Sequence, residues 1–296
     1  MIPAPFAYHA PHSLEEALAV LASHPPGAVR LLAGGQSLMP ALVARQATPA
    51  HLLDLNGIGG LDTIERMGGA VRIGALVRQQ QALVSPLVAR DVPLLAAALR
   101  HVAHRAVRHR GTVVGSICQL DPWAEVPLAA AALDAEVEVA GPHGTRRMAF
   151  AAFAQGANRP ALSAQEIVTA LVLPVWPAGH LMAFEEVSRR PNDPALVAVA
   201  VLMAPEANGR IGSAMIALGG ILDVPLRCRR VEAALAGHPA DDAAGLAGSA
   251  IAWLEDLGDA LPRGDVLAES AYRRRVAEPL IRRALTSAME RKDPDA

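Results

Sequence analysis

The chain has little cysteine, few aromatic side chains, almost no net charge and no long apolar run. Its two cysteines, Cys118 and Cys228, form no Cys-x-x-Cys pair. An iron–sulfur cluster or a four-cysteine zinc site needs four such ligands, so this chain alone holds neither. So few cysteines fit a reducing compartment, and the expected location is cytoplasmic. A formal charge of −2 gives no electrostatic case for nucleic acid or for an anionic membrane as partner. No apolar run reaches the ~18 residues of a spanning helix, so no transmembrane segment is expected. The opening Met-Ile-Pro-Ala-Pro-Phe lacks a basic region followed by an apolar one, so no signal peptide is expected either. Gly-x-Gly-x-x-Gly and the P-loop pattern are also missing.

What is present is apolar and glycine-punctuated. With 52% hydrophobic residues in 296, the chain can bury the core of two domains or one large one. One stretch stands out: Val29, Arg30, Leu31 and Leu32 read as a short buried strand, and Ala33-Gly34-Gly35-Gln36-Ser37-Leu38 follows at once. Glycines permit positive φ and remove Cβ atoms, so backbone N–H groups can converge on a ligand. Gln36 and Ser37 add side-chain donors. The arrangement reads either as a diphosphate cradle or as a plain strand-to-helix turn. Further on, Arg110-Gly111-Thr112-Val113-Val114-Gly115-Ser116 again sets small residues and hydroxyls beside an apolar run, followed by Asp121-Pro122-Trp123-Ala124-Glu125. Two separate loops could hold one long ligand where a single fingerprint is missing. Equally, Thr112 and Ser116 could satisfy local backbone groups.

Several elements follow from local rules. Ser13-Leu14-Glu15-Glu16 is a capping box that opens a helix. Strand 29–32, a helix over 38–45 and a strand over 51–55 give a β-α-β unit. Strands are expected at 61–66, 70–75 and 167–173, helices at 78–83 and 93–107, and a hairpin around 141–144. Residues 174–179 read as a linker. Beyond it, strands 196–203 and 211–218 join through Asn208-Gly209. Helices 231–236, 243–257 and 272–289 then close the chain, with a frayed end over 291–296. His101, His104, Arg105, Arg108, His109 and Arg110 make the end of helix 93–107 basic, which complements a helix dipole or faces a diphosphate or a partner. His101 and His104 lack a third ligand for a metal. Asp121 reads as the cap of a helix starting at Pro122, which would put Asp121 and Glu125 on one face. Cys118 reads as a buried small residue.

The motifs carry a resemblance. Ala-Gly-Gly-Gln-Ser-Leu-Met-Pro at 33–40, Gly-Thr-Val-Val-Gly-Ser at 111–116 and Asp-Pro-Trp-Ala-Glu at 121–125 occur in the order of a known family. So do Phe184-Glu185-Glu186-Val187-Ser188-Arg189-Arg190, Ala217-Leu218-Gly219-Gly220 and Ala271-Tyr272-Arg273-Arg274. Over nearly its whole length the chain resembles the FAD-binding medium subunit of molybdenum hydroxylases, nearest to the aerobic carbon-monoxide-dehydrogenase type. The resemblance implies an α+β fold with a two-subdomain FAD-binding domain of the vanillyl-alcohol-oxidase type over 1–175 (subdomains 1–55 and 56–175). A C-terminal sheet-and-helices domain over 176–296 would cover the flavin end.

It also implies FAD contacts from Ala33, Gly34, Gly35, Gln36, Ser37 and Leu38, and from Gly111, Thr112, Val113, Gly115 and Ser116. Glu125 and Asp193 are candidates on the flavin side; the alternative for Asp193 is a turn. The implied partners are a molybdopterin-containing large subunit and a [2Fe–2S] small subunit, in a dimer of heterotrimers. No side chain of this chain is expected to be catalytic, and no metal is expected in it. Three positions depart from the family: Val114 replaces a glycine, Gln119 a histidine, and Pro194 a residue near the flavin ring. Two other readings stay open: a free-standing FAD oxidoreductase of the vanillyl-alcohol-oxidase type, and a scaffolding subunit that has lost flavin.

Overall fold

Ser13 starts the first long helix as the capping box requires. Its hydroxyl accepts from the Glu16 N–H at 3.1 Å, and the Glu16 carboxylate accepts from the His12 N–H at 2.8 Å. In the computed structural model, which describes residues 2–290, this helix, α1 (Leu14–Ala22), lies between β1 (Ala7–His9) and β2 (Val29–Leu32). Helix α2 (Leu38–Val43) then leads to β3 (His51–Asp54). The three strands are parallel in the order β1-β3-β2. Parallel neighbours need crossovers, and α1 and α2 are what the chain supplies. The sequence showed β2 and β3 but not β1, whose three residues carry no apolar alternation to detect.

An antiparallel sheet in the order β4-β5-β8-β6-β7 follows. Its strands are β4 (Ile64–Met67), β5 (Ala70–Gly74), β6 (Glu136–Gly141), β7 (Gly144–Ala149) and β8 (Ile167–Pro174). Between β5 and β6 run helices α3 (Gln79–Leu83), α4 (Pro86–Asp91), α5 (Pro93–His101), α6 (Arg105–Arg108), α7 (Val113–Gln119) and α8 (Glu125–Ala132), and α9 (Phe150–Phe153) follows β7. The single helix expected over 93–107 is therefore two. Val102 takes extended backbone and Ala103 has φ 37°. One Arg108 nitrogen donates to the carbonyls of Val102 and Ala103 at 2.7 and 2.8 Å. Arg108 of the basic cluster thus satisfies carbonyls just past a helix end.

The third sheet, β9 (Leu181–Val187), β10 (Val197–Pro205), β11 (Ile211–Gly219) and β12 (Leu226–Arg227), is antiparallel in the order β12-β11-β10-β9. Both faces of β10 are buried. Val197, Val199, Val201 and Met203 join one core with Ala277, Ile281 and Leu285 of α13 (Ser270–Glu290). Ala198, Ala200 and Leu202 face the other core, which holds the first two sheets and α5 and α8. Period-2 geometry sorts one strand between two cores. Helix α10 (Arg229–Leu235) matches its expected position. The helix expected over 243–257 is instead α11 (Ala243–Gly248) and α12 (Trp253–Leu257), joined by a 3₁₀ turn at Ser249–Ala252. The end expected to fray, 291–296, lies outside the described residues. Among those residues no helix is long and apolar enough to cross a membrane.

Candidate cofactor-binding site

Strand β2 delivers the chain to a bare turn. Gly35 sits at φ +73°, where a side chain would be strained. Among the described residues the N–H groups of Gly34, Gly35, Gln36 and Ser37 find no acceptor. Ser37 precedes α2 but makes no side-chain capping bond, so its hydroxyl is also free to donate. Gln36 and Ser37 are exposed, and Gln36 Nε2 reaches back to the Gly34 carbonyl at 3.3 Å.

The second loop begins where α6 ends. Thr112 caps α7, its buried hydroxyl oxygen accepting from the Gly115 N–H at 3.0 Å. That is the local role the sequence left open for it. The Thr112 N–H has no acceptor among the described residues. Val113 and Val114 bury their side chains in the core, so both point away from the loop surface. Gly115 and Ser116 are half-buried.

The two loops touch backbone to backbone. A Cβ on Gly34 would lie 2.5 Å from the Arg110 carbonyl oxygen, 2.7 Å from Gly111 Cα and 3.0 Å from the Thr112 nitrogen. Only glycine permits that approach. A polar strut fixes it from behind. Asn56 Nδ2 donates to the Ala33 carbonyl at 2.9 Å, and Arg78 donates to the Arg110 carbonyl at 2.9 Å and to Asn56 Oδ1 at 2.5 Å. Asp54 completes the strut, accepting from the Tyr8 hydroxyl at 2.6 Å and from the Asn56 N–H at 2.9 Å. Burial pushes the Asp54 carboxyl up, but those donors outweigh it and hold the pKa below the usual range. Asn56 and Arg78 were missed in the sequence because each is a lone polar residue outside any motif.

The remaining candidates lie apart from the paired loops. Helix α8 begins at Glu125 with Ala124 as its cap, so Asp121 does not cap a helix at Pro122. Residues 121–124 form a turn closed by the Ala124 N–H on the Asp121 carbonyl at 3.0 Å. Asp121 and Glu125 therefore share no helix face. The Asp121 carboxylate accepts from Asn158 at 3.1 Å and from Gln119 at 3.5 Å. Glu125 is buried, and desolvation, with Glu186 nearby, raises its pKa from 4.5 to about 7. His101 pairs with Glu186 at 3.2 Å, and that bond raises the imidazole pKa. His101 thus has a carboxylate partner and does not pair with His104. Asp193 lies in the turn between β9 and β10, where its N–H bonds the Arg190 carbonyl at 3.1 Å. No hydrogen bond or ion pair among the described residues joins Glu125 or Asp193 to either glycine loop. Burial pushes the Cys118 thiol up to about 12 and raises that of Cys228, so neither is a ready nucleophile.

Residues 4–176 match the FAD binding domain in molybdopterin dehydrogenase, and residues 182–288 match the CO dehydrogenase flavoprotein C-terminal domain. The chain belongs to this flavoprotein family. It is 34% identical to the carbon monoxide dehydrogenase medium chain of Afipia carboxidovorans, over 98% of this chain and 99% of that one. It is 33% identical to the nicotine 6-hydroxylase medium subunit of Paenarthrobacter nicotinovorans, over 95% and 96%. Its structure matches a chain of quinoline 2-oxidoreductase from Pseudomonas putida 86 with a TM-score of 0.91, 34% identity and 99% coverage of both chains. The cofactor of the family is FAD, and the flavoprotein's own atoms suit it. A diphosphate accepts hydrogen bonds, and the paired loops present unused N–H groups and a free hydroxyl where a Cβ has no room.

Proposed function

We propose that this chain is the flavin-bearing medium subunit of a molybdenum hydroxylase and passes electrons to an external acceptor. The backbone contact between Gly34 and residues 110–112 carries the reading, because it turns two weak motifs into one donor-lined cradle. Ala33, Gly34, Gly35, Gln36, Ser37 and Leu38 would bind one side of the FAD diphosphate, and Gly111, Thr112, Val113, Gly115 and Ser116 the other. Glu125 and Asp193 would lie toward the flavin. Bound FAD supplies the redox chemistry; the protein binds, orients and shields it. Arg78 and Asn56 act one step back, holding the two carbonyls that set the spacing of the loops.

The division into 1–175, with subdomains 1–55 and 56–175, and 176–296 is part of the same proposal. It is supported by the change of sheet after β3 and by the separate core behind β10. With two cysteines in all, this chain alone cannot hold an iron–sulfur cluster, so in this reading its electrons come from other chains. A small subunit with [2Fe–2S] clusters and a molybdopterin-containing large subunit fit that need, assembled as a dimer of heterotrimers in the cytoplasm. Purification of the native assembly tests the proposal. Three chains, with molybdenum, iron and one FAD per medium chain, are expected. A single chain whose flavin is reduced by its own small substrate under anaerobic conditions would contradict it.

A further inference from the structure

We propose that His9, His24 and His51 form a binding site for one divalent ion of the zinc class. The coordinating nitrogens of the three rings all lie within 4.8 Å of one another. His9 Nε2 and His51 Nδ1 are 3.1 Å apart. Two nitrogens on a tetrahedral zinc with bonds of about 2.0–2.1 Å stand roughly 3.3 Å apart, so this pair is already at ligand spacing. The His24 ring is 3.8 Å from that of His51 and 5.6 Å from that of His9, centroid to centroid.

The fold builds this cluster from three separate elements. Ala7 of β1 pairs with His51 of β3. His9, two residues along, points to the same face, so the two histidines are diagonal cross-strand neighbours. His24 lies just beyond α1, which crosses over that sheet. The residues are far apart in sequence and share no motif spacing, which is why composition gave no hint of them.

The surroundings of His24 favour ligation. Its Nδ1 lies 2.9 Å from the Val20 carbonyl oxygen. That oxygen can only accept, so the proton is assigned to Nδ1 and the lone pair to Nε2. A backbone carbonyl that fixes the far nitrogen of a histidine is the usual support behind a metal-binding imidazole. The Ser23 hydroxyl, 2.9 Å from the same nitrogen, adds to the hold. All three histidines are half-buried, so the cluster is open to solvent on one side. Three imidazoles with no carboxylate or thiolate among them suit Zn²⁺, Cu²⁺ or Ni²⁺ and do not suit Mg²⁺ or Ca²⁺.

The site sits at the start of β3, whereas the strut residue Asp54 closes the other end of that strand. An ion there would pin β1 and the end of α1 to β3 without touching the FAD cradle. This proposal does not depend on the flavin reading. Calorimetric titration of the full-length, chelator-treated, FAD-loaded chain with Zn²⁺ tests it. One ion per chain is expected. His24→Ala and His51→Ala should each weaken binding at least tenfold, and His143→Ala, at an exposed hairpin turn, should not. Unchanged FAD content and zinc-free melting temperature would show that the variants fold. No binding at stoichiometric zinc, or wild-type affinity in His24→Ala with the fold intact, would overturn the proposal.

Discussion

At the scale of single residues, the cradle depends on what is missing from Gly34 and on what Arg78 reaches. Paired glycines were legible in the sequence, Gly34 being required by the backbone-to-backbone contact and Gly35 by its positive φ. The strut was not, because Asn56 and Arg78 act through carbonyls whose positions only the fold sets. Arg78→Ala removes its bonds to the Arg110 carbonyl and to Asn56. At about 1–3 kcal/mol for bonds of this kind, FAD affinity should fall roughly five- to a hundredfold or somewhat more, with the secondary structure kept. Flavin titration monitored by fluorescence, with circular dichroism as the control, measures this.

Glu125 gives a prediction with a definite sign. Its folded-state pKa is raised to about 7 from 4.5, so the folded state binds its proton more tightly than the unfolded state does. Stability should therefore fall as pH rises between about 4.5 and 7, by on the order of 3 kcal/mol, and stay low above that. His101, raised from 6.5 by its bond to Glu186, adds a loss of the same sign that begins only above about pH 6.5. Glu125→Gln should flatten the dependence and melt above wild type at pH 8. Melting temperatures across that range decide the matter, and parallel curves for the two proteins would count against a protonated Glu125.

At the scale of elements, local rules worked where the cause was local. The Ser13 box, the β6–β7 hairpin and the strands around Asn208-Gly209 lie where their residues put them. The rules failed where a distant group decides. Val102 continues the apolar pattern of α5, yet the helix stops at His101, and Arg108 holds the carbonyls of Val102 and Ala103 just beyond its end. Asp121 followed by proline reads as a cap, yet residues 121–124 are held as a turn. The Pro122 carbonyl of that turn accepts from the Gly220 N–H at 2.9 Å. Gly220 is at φ +76° and leaves no room for a Cβ beside the Leu196 carbonyl.

Behind that contact, fully buried Arg273 donates to the carbonyls of Leu196 and Gly220 and to Asp265. Two motifs that are separate in the sequence thus meet at one guanidinium, and Pro122 of a third joins them through Gly220. Arg273→Met would strand these acceptors, at a cost of about 3–5 kcal/mol. A correspondingly lower urea midpoint is expected. An unchanged midpoint would mean that the contacts are replaced by water.

At the scale of the molecule, the C-terminal sheet is the shared wall. One face of β10 belongs to the core of α13 and the other to the core of the FAD-binding domain. Alanines dominate the second face, and Gly219 brings β11 close to Leu128 of α8, where an added Cβ would stand 3.1 Å away. The strand itself, expected over 196–203, was legible in its apolar run. Which residues serve which core was not, since that depends on where α8 and α13 pack.

The central claim remains that the two glycine loops, set by this frame, hold one FAD. The most direct test is an FAD titration of the flavin-stripped chain beside its Gly34→Val variant, with circular dichroism of both. One FAD per wild-type chain is expected, with at least a hundredfold weaker binding in the variant and the fold retained. Equal affinity in the two proteins would contradict it.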